Sequence, residues 1–149
     1  MKLQIRDIIS HQGRDWTVEG ILTYKLGDKS LPLARVVDGA DVRWVEPLLD
    51  VMDDRVLMLQ EVQNLETATL PPPTLSYNGK SYVPRFSGVA TVAVEGRAPA
   101  RSTGSCEVWR YRAAGDEFLQ IERWPDRTVV LAGESVHKGM LDVLPGSTA

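Results

Sequence analysis

The stretch His11-Gln12-Gly13-Arg14-Asp15-Trp16-Thr17-Val18-Glu19-Gly20 decides the fold: a polar turn carrying a glycine leads into an extended run with an aromatic at its entry. Trp16, Val18, Gly20 and Leu22 fall on one face at the two-residue period, opposite the mostly polar Thr17, Glu19, Ile21 and Thr23. That alternation is the mark of a half-buried antiparallel strand. The phrase returns as Tyr77-Asn78-Gly79-Lys80-Ser81-Tyr82-Val83, where Asn-Gly favours a type I′ hairpin because both central residues need positive φ. Further on, Gly39-Ala40-Asp41-Val42-Arg43-Trp44-Val45-Glu46 resembles Gly115-Asp116-Glu117-Phe118-Leu119-Gln120-Ile121-Glu122, in the same order. Two related β-meanders would each bury a face poorly alone, and packing them together closes a common core.

Outward from that phrase the text is strand and turn throughout. Leu3, Ile5 and Ile8-Ile9 give a short first strand, and residues 31–37 return from the break at Gly27-Asp28. Asp38-Gly39 is a hairpin signal. The strand at residues 42–46 is expected to stop at Pro47, and residues 55–62 read as a strand opened by Asp53-Asp54. In the second half, strands are expected over residues 88–95, 106–112, 118–123 and 128–132, with a short one around 140–143 and a surface loop over 97–105. No segment holds the i, i+3, i+4, i+7 pattern of an amphipathic helix. The expected fold is all-β, with residues 1–65 and 74–149 as tandem meanders packed as paired barrel-like halves. Residues 66–73, ending in Pro71-Pro72-Pro73, form the connector, since proline cannot donate to a ladder and prefers an extended conformation. Trp16, Val18, Trp44, Tyr82, Val92, Trp109 and Phe118 are the expected core.

Composition bounds the function classes. With 149 residues, 43% hydrophobic and 25% charged, the chain can bury a core and is not disordered. A net charge of −3 excludes a globally basic nucleic-acid binder. The lone Cys106 allows neither an internal disulfide nor a cysteine zinc cluster, which favours a reducing compartment. The start lacks a signal peptide's apolar core and no run is long enough to span a bilayer, so the expectation is a cytoplasmic protein, held at the inner membrane only through a partner.

Chemistry is sparse. His11 and His137 are the only histidines, and neither has neighbours spaced as metal ligands. His11 reads as a solvated turn residue. Thr103-Gly104-Ser105-Cys106 resembles a nucleophile string, but it needs an oriented base, which only His137 could supply. Asp50, Asp53 and Asp54 lack the spacing of a calcium loop. No catalytic residue, metal or cofactor is expected. Charge gives the one positive hint: residues 79–112 are locally basic and residues 38–66 locally acidic. Arg85, Arg97, Arg101, Arg110 and Arg112 are therefore the candidate binding face, for an anion, a single strand or a small ligand. Trp109 and Tyr111 alternate with Arg110 and Arg112, which puts aromatics and arginines on opposite faces and weakens a stacking role.

Gly13-Arg14-Asp15-Trp16-Thr17-Val18-Glu19-Gly20, Trp44-Val45-Glu46, Tyr77-Asn78-Gly79-Lys80-Ser81-Tyr82, Gly88-Val89-Ala90 and Phe118-Leu119-Gln120-Ile121-Glu122 together resemble a bacterial family, the domain of unknown function numbered 4178. The likeness runs from about residue 5 to residue 144 and rests on turn glycines and core aromatics. Val45 stands where leucine is commoner in the family, and Ser87-Gly88-Val89-Ala90 stands for its glycine–alanine element. The resemblance implies a companion of membrane-stress genes, near phage-shock protein A-like proteins, small membrane proteins and spermidine synthase-like enzymes. It says nothing of an activity. The expected function is a non-catalytic module that binds a protein partner, possessing no membrane span of its own.

Overall fold

The computed structural model describes residues 2–50, 54–63, 74–99 and 102–146. Among the described residues eleven strands follow in order: β1 (Ile8–His11), β2 (Arg14–Leu26), β3 (Lys29–Asp38), β4 (Asp41–Asp50), β5 (Arg55–Glu61), β6 (Leu75–Tyr77), β7 (Lys80–Gly96), β8 (Gly104–Ala113), β9 (Glu117–Trp124), β10 (Arg127–His137) and β11 (Asp142–Leu144). The one helical element among the described residues is a 3₁₀ turn at Lys138–Met140. Among the described residues no helix is long and apolar enough to cross a membrane. The connector expected at residues 66–73 lies outside the described residues.

The sheet order is β11-β1-β2-β3-β4-β5-β10-β9-β8-β7-β6, and a further antiparallel pairing of β2 with β7 closes it. The result is an eight-stranded antiparallel barrel, β2-β3-β4-β5-β10-β9-β8-β7. Outside the ring, β1 with β11 flanks the first half of β2, and β6 flanks the start of β7. The hairpins anticipated at residues 12–13, 38–39 and 78–79 all form. Gln12 and Gly13 have φ of 50° and 77°, Asn78 and Gly79 of 55° and 78°, so each pair adopts the left-handed geometry a two-residue turn demands.

Two bulges overturn the single-face reading of the long strands. In β2, Val18 lies opposite Val36 but Gly20 opposite Arg35, so Glu19 is an extra residue. A residue inserted this way turns the strand over. Trp16 and Val18 therefore face an outer cluster with Ile9, Val36, Val45 and Val56, while Leu22 and Tyr24 face the barrel interior. In β7, Pro84 lies opposite Tyr111 and Phe86 opposite Arg110, with Arg85 as the extra residue. Tyr82 then joins a third cluster with Leu75, Tyr111, Leu119 and Ile121, whereas Phe86, Ala90 and Val92 turn inward. Three small cores replace the one that an unbroken alternation predicts.

Pro47 does not end its strand. β4 continues to Asp50, and the ladder with β5 shifts register between Glu46 and Asp50, where the missing N–H of a proline is tolerated. β10 runs on to His137, past the expected end at residue 132. Of the expected core residues, Trp16, Val18, Trp44, Tyr82, Val92 and Phe118 are buried, and Trp109 is half-buried against the third cluster.

That third cluster makes the fold sensitive to alkali. Burial pushes the phenols of Tyr82 and Tyr111 above the ordinary tyrosine range, and for Tyr82 the Glu117 carboxylate adds to the effect. The unfolded chain releases these protons first, near pH 10. Their contribution is complete below that pH and is lost as pH rises through the higher folded values. Urea midpoints followed upward from neutral pH should stay level and then drop above about pH 10. The Tyr82→Phe, Tyr111→Phe double variant should show a shallower drop; an equal one would remove these phenols from the account.

Candidate functional site

The barrel interior is filled by side chains, several of them polar. Glu46, Arg110, Gln120 and Glu122 are 1%, 3%, 2% and 0% exposed, and burial this complete demands partners for every charged atom. Arg110 donates from Nη1 to Glu46 Oε2 at 2.8 Å and from Nη2 to Glu46 Oε1 at 3.0 Å. It also donates to Gln120 Oε1, at 3.1 Å from Nε. Gln120 Nε2 and the Tyr24 hydroxyl donate to Glu122 Oε2 at 2.8 and 2.9 Å, and Trp124 Nε1 donates to Glu122 Oε1 at 2.9 Å. Glu46 on β4 and Arg110 on β8 stand four strands apart in a ring of eight, so their bidentate pair spans the barrel. The network braces the fold, and its donors and acceptors are engaged with one another.

The five arginines singled out by local charge do not form one face. Arg110 is inside the barrel, which removes it from any exposed patch; the correction follows from Glu46, whose carboxylate pulls it inward. Arg112 pairs with Asp116 Oδ1 at 2.8 Å and lies over the Phe118 ring. Arg85 sits at the β7 bulge and Arg97 just beyond β7, both exposed. Arg101 lies outside the described residues. The alternation of Trp109 and Tyr111 against Arg110 and Arg112 holds, with Arg110 turned into the barrel and Tyr111 into the outer cluster.

The candidate nucleophile string is also dispersed. Cys106 is buried among the interior apolar side chains, whereas His137 is exposed and its Nδ1 accepts from the Gly139 N–H at 3.0 Å. His11 is not the solvated turn residue expected: its Nε2 is enclosed, with no hydrogen-bond partner among the described residues. It lines a cleft of about 250 Å³ under the β1–β2 hairpin, where Arg14 and Arg43 lie 4.4 and 5.2 Å from the Trp16 ring centroid. Arg14 is committed to Asp38 and Asp41 at 2.8 and 2.6 Å, and its hydrogen bond holds the Asp41 carboxyl below the usual range. Asp54, from the acidic group at residues 50–54, pairs with Lys138 at 3.2 Å. Among the described residues no group of three or more His, Cys, Asp or Glu side chains is placed to hold a metal ion.

The feature sequence reasoning missed is a gap along β7. Residues 91–96 pair with β2 on one edge and residues 83–92 with β8 on the other. On the β2 side, residues 83–90 have no strand partner among the described residues, and no other described backbone group bonds to that margin. The opening is eight residues long, about 26 Å at the rise of an extended chain. Val83 and Val89 are 53% and 67% exposed along it. Beside it lies a cleft of about 410 Å³ between Leu26, Gly27, Asp28 and Lys29 of the β2–β3 turn and Phe86, Ser87, Gly88 and Val89. Lys29 Nζ sits 4.8 Å from the Phe86 ring centroid. The bulge at Arg85 turns inward the strand face that carries Phe86.

Residues 4–138 match the family model described as Domain of unknown function (DUF4178). No curated protein matches, and no solved structure matches.

Proposed function

The chain belongs to the DUF4178 family, and from that premise we propose that it is a non-catalytic β-module that binds another protein. The setting is the one the family resemblance implies, a bacterial membrane-stress or polyamine-linked gene system, with the module in the cytoplasm and brought to the inner membrane by its partner. The observation that carries the reading is the open margin of β7. Sheet edges are ordinarily short, covered or charged because unpaired N–H and C=O groups recruit other chains, and here residues 83–90 present such a margin with exposed Val83 and Val89 beside it. The reading of an arginine-rich ligand face has less support, because Arg110 is bound to Glu46 inside the barrel.

The same proposal includes the relatedness of the two halves. Its support is that β1–β5 and β6–β10 each open on a two-residue turn with both φ positive, and that the second strand of each is long and bulged.

A photo-crosslinking residue placed at Val89 and, as a control, at the exposed Asp126 tests the interaction reading in the native host. The expected result is a discrete adduct with one protein from position 89 and none from position 126. No adduct from position 89, or the same adducts from both positions, would count against a docking surface on β7.

A further inference from the structure

We propose that residues 83–90 of β7 receive an extended segment of a partner protein as an added antiparallel strand. An acidic side chain of that segment is set against Arg85 and Lys29, and an apolar one enters the cleft beside Phe86. The inference rests on the protein-interaction reading above and states how the partner is held.

The occupant follows from what the margin offers. Its outward groups are main-chain donors and acceptors, which an extended chain satisfies at the ladder spacing and a globular surface does not. β2, which leaves β7 where the margin begins, runs antiparallel to it. A strand added in the same direction as β2 continues that ladder from residue 90 back toward residue 83. Pro84 has no N–H and Arg85 is a bulge residue, so the pairing is strongest over residues 86–90, about 17 Å of chain.

The surroundings select the side chains. Arg85 and Lys29 are exposed and have no carboxylate within ion-pair distance among the described residues, and the nearest acid along the turn, Asp28, leaves the slot one positive charge in excess. Gly88 has only Leu26 Cδ2, 3.5 Å from where its Cβ would stand, so backbone can approach there closely. A second copy of this chain fits poorly. Pairing two such margins brings a second Arg85 and Lys29 toward the same slot and sets like charges together. An acid-bearing extended segment enters the gap without that obstacle.

The test uses random octapeptides displayed on phage and selected against the purified full chain. Selected peptides are then synthesised with a single N-methyl group at each position in turn. The expected result is that methylation at alternate positions weakens binding about tenfold, the loss of one main-chain hydrogen bond, while the intervening positions tolerate it. Selected peptides should carry an acid, Arg85→Glu with Lys29→Glu should abolish that preference, and binding should protect the outward-facing amides among residues 86–90 from hydrogen exchange. Peptides that compete with the Val89 adduct yet tolerate N-methylation everywhere would overturn strand addition and leave the interaction reading standing. No peptide protecting those amides, together with no adduct from Val89, would overturn both. A concentration-dependent dimer protecting the same amides would place a second copy in the slot and overturn the partner segment.

Discussion

Replacing Arg110 by methionine is expected to lower the unfolding free energy by about 3–5 kcal/mol, the cost of leaving a buried carboxylate without its partner. Methionine fills much of the same volume, so the loss reports electrostatics rather than a cavity. Glu46 would keep both oxygens inside the barrel with neither Nη1 nor Nη2 to receive from, and Gln120 Oε1 would lose its donor. Removing both charges together, as Glu46→Leu with Arg110→Met, should restore at least half of the loss. Hydrophobic replacements of buried pairs are commonly neutral or stabilising, and the stranded Gln120 carbonyl accounts for a residue of about 1–3 kcal/mol. Urea midpoints of the two single variants and the double give the coupling directly. A double variant no more stable than Arg110→Met would mean that Glu46 is not the group left in difficulty, and the cross-barrel brace would have to be abandoned as an explanation.

The second large effect is expected at Gly133, where β10 meets β5. A Cβ there would stand 1.9 Å from the Met58 carbonyl oxygen and 2.9 Å from the Leu59 Cα. Both obstacles are backbone, so no rotamer change relieves the clash, and the ladder between Gly133 and Leu59 must part. Gly133→Ala should therefore cost about 3 kcal/mol, at the upper end of overpacking substitutions. Gly88→Ala is the internal comparison. Its Cβ would make an ordinary contact with a leucine methyl, and the expected change is within about 1 kcal/mol. Similar thermal midpoints for the two variants would show that β10 can shift to accept the methyl group, and that the close approach is not needed for closure.

Turn chemistry was the most legible part of the sequence. Gln12-Gly13 and Asn78-Gly79 announce their hairpins because so few residue pairs accept two positive φ values, and the absence of a 3.6-residue period excluded long helices. Family membership was legible from the same turn glycines and aromatics. Face assignment was not. Glu19 and Arg85 are ordinary polar letters in an alternating text, yet each is an inserted residue that turns its strand over, and nothing local distinguishes a bulge from the next outward-facing position. Arg110 was read as a surface cation because its partner Glu46 lies 64 positions away, and burial of a charge depends on a partner that only the folded ring supplies. Pro47 looked like a stop for a similar reason, since its missing donor matters only where the ladder calls for one. The margin of β7 was hidden because an unpaired stretch reads like a paired one.

Ring closure carries a kinetic consequence. Most of the ladders join strands adjacent in sequence, but the two seams, β5 with β10 and β2 with β7, join residues about 65 to 80 positions apart. Local hairpins of this kind form in microseconds, whereas contacts between distant residues must first overcome the entropy of closing a long loop. A newly made chain thus gains its hairpins quickly and its two seams late, as an incompletely closed sheet. Gly20 and Gly133 lie in those seams, where a side chain at either position would meet opposing backbone. Their bareness is what lets opposing backbone meet there, and closure of those seams ends the interval in which an open sheet is most exposed to aggregation and proteolysis.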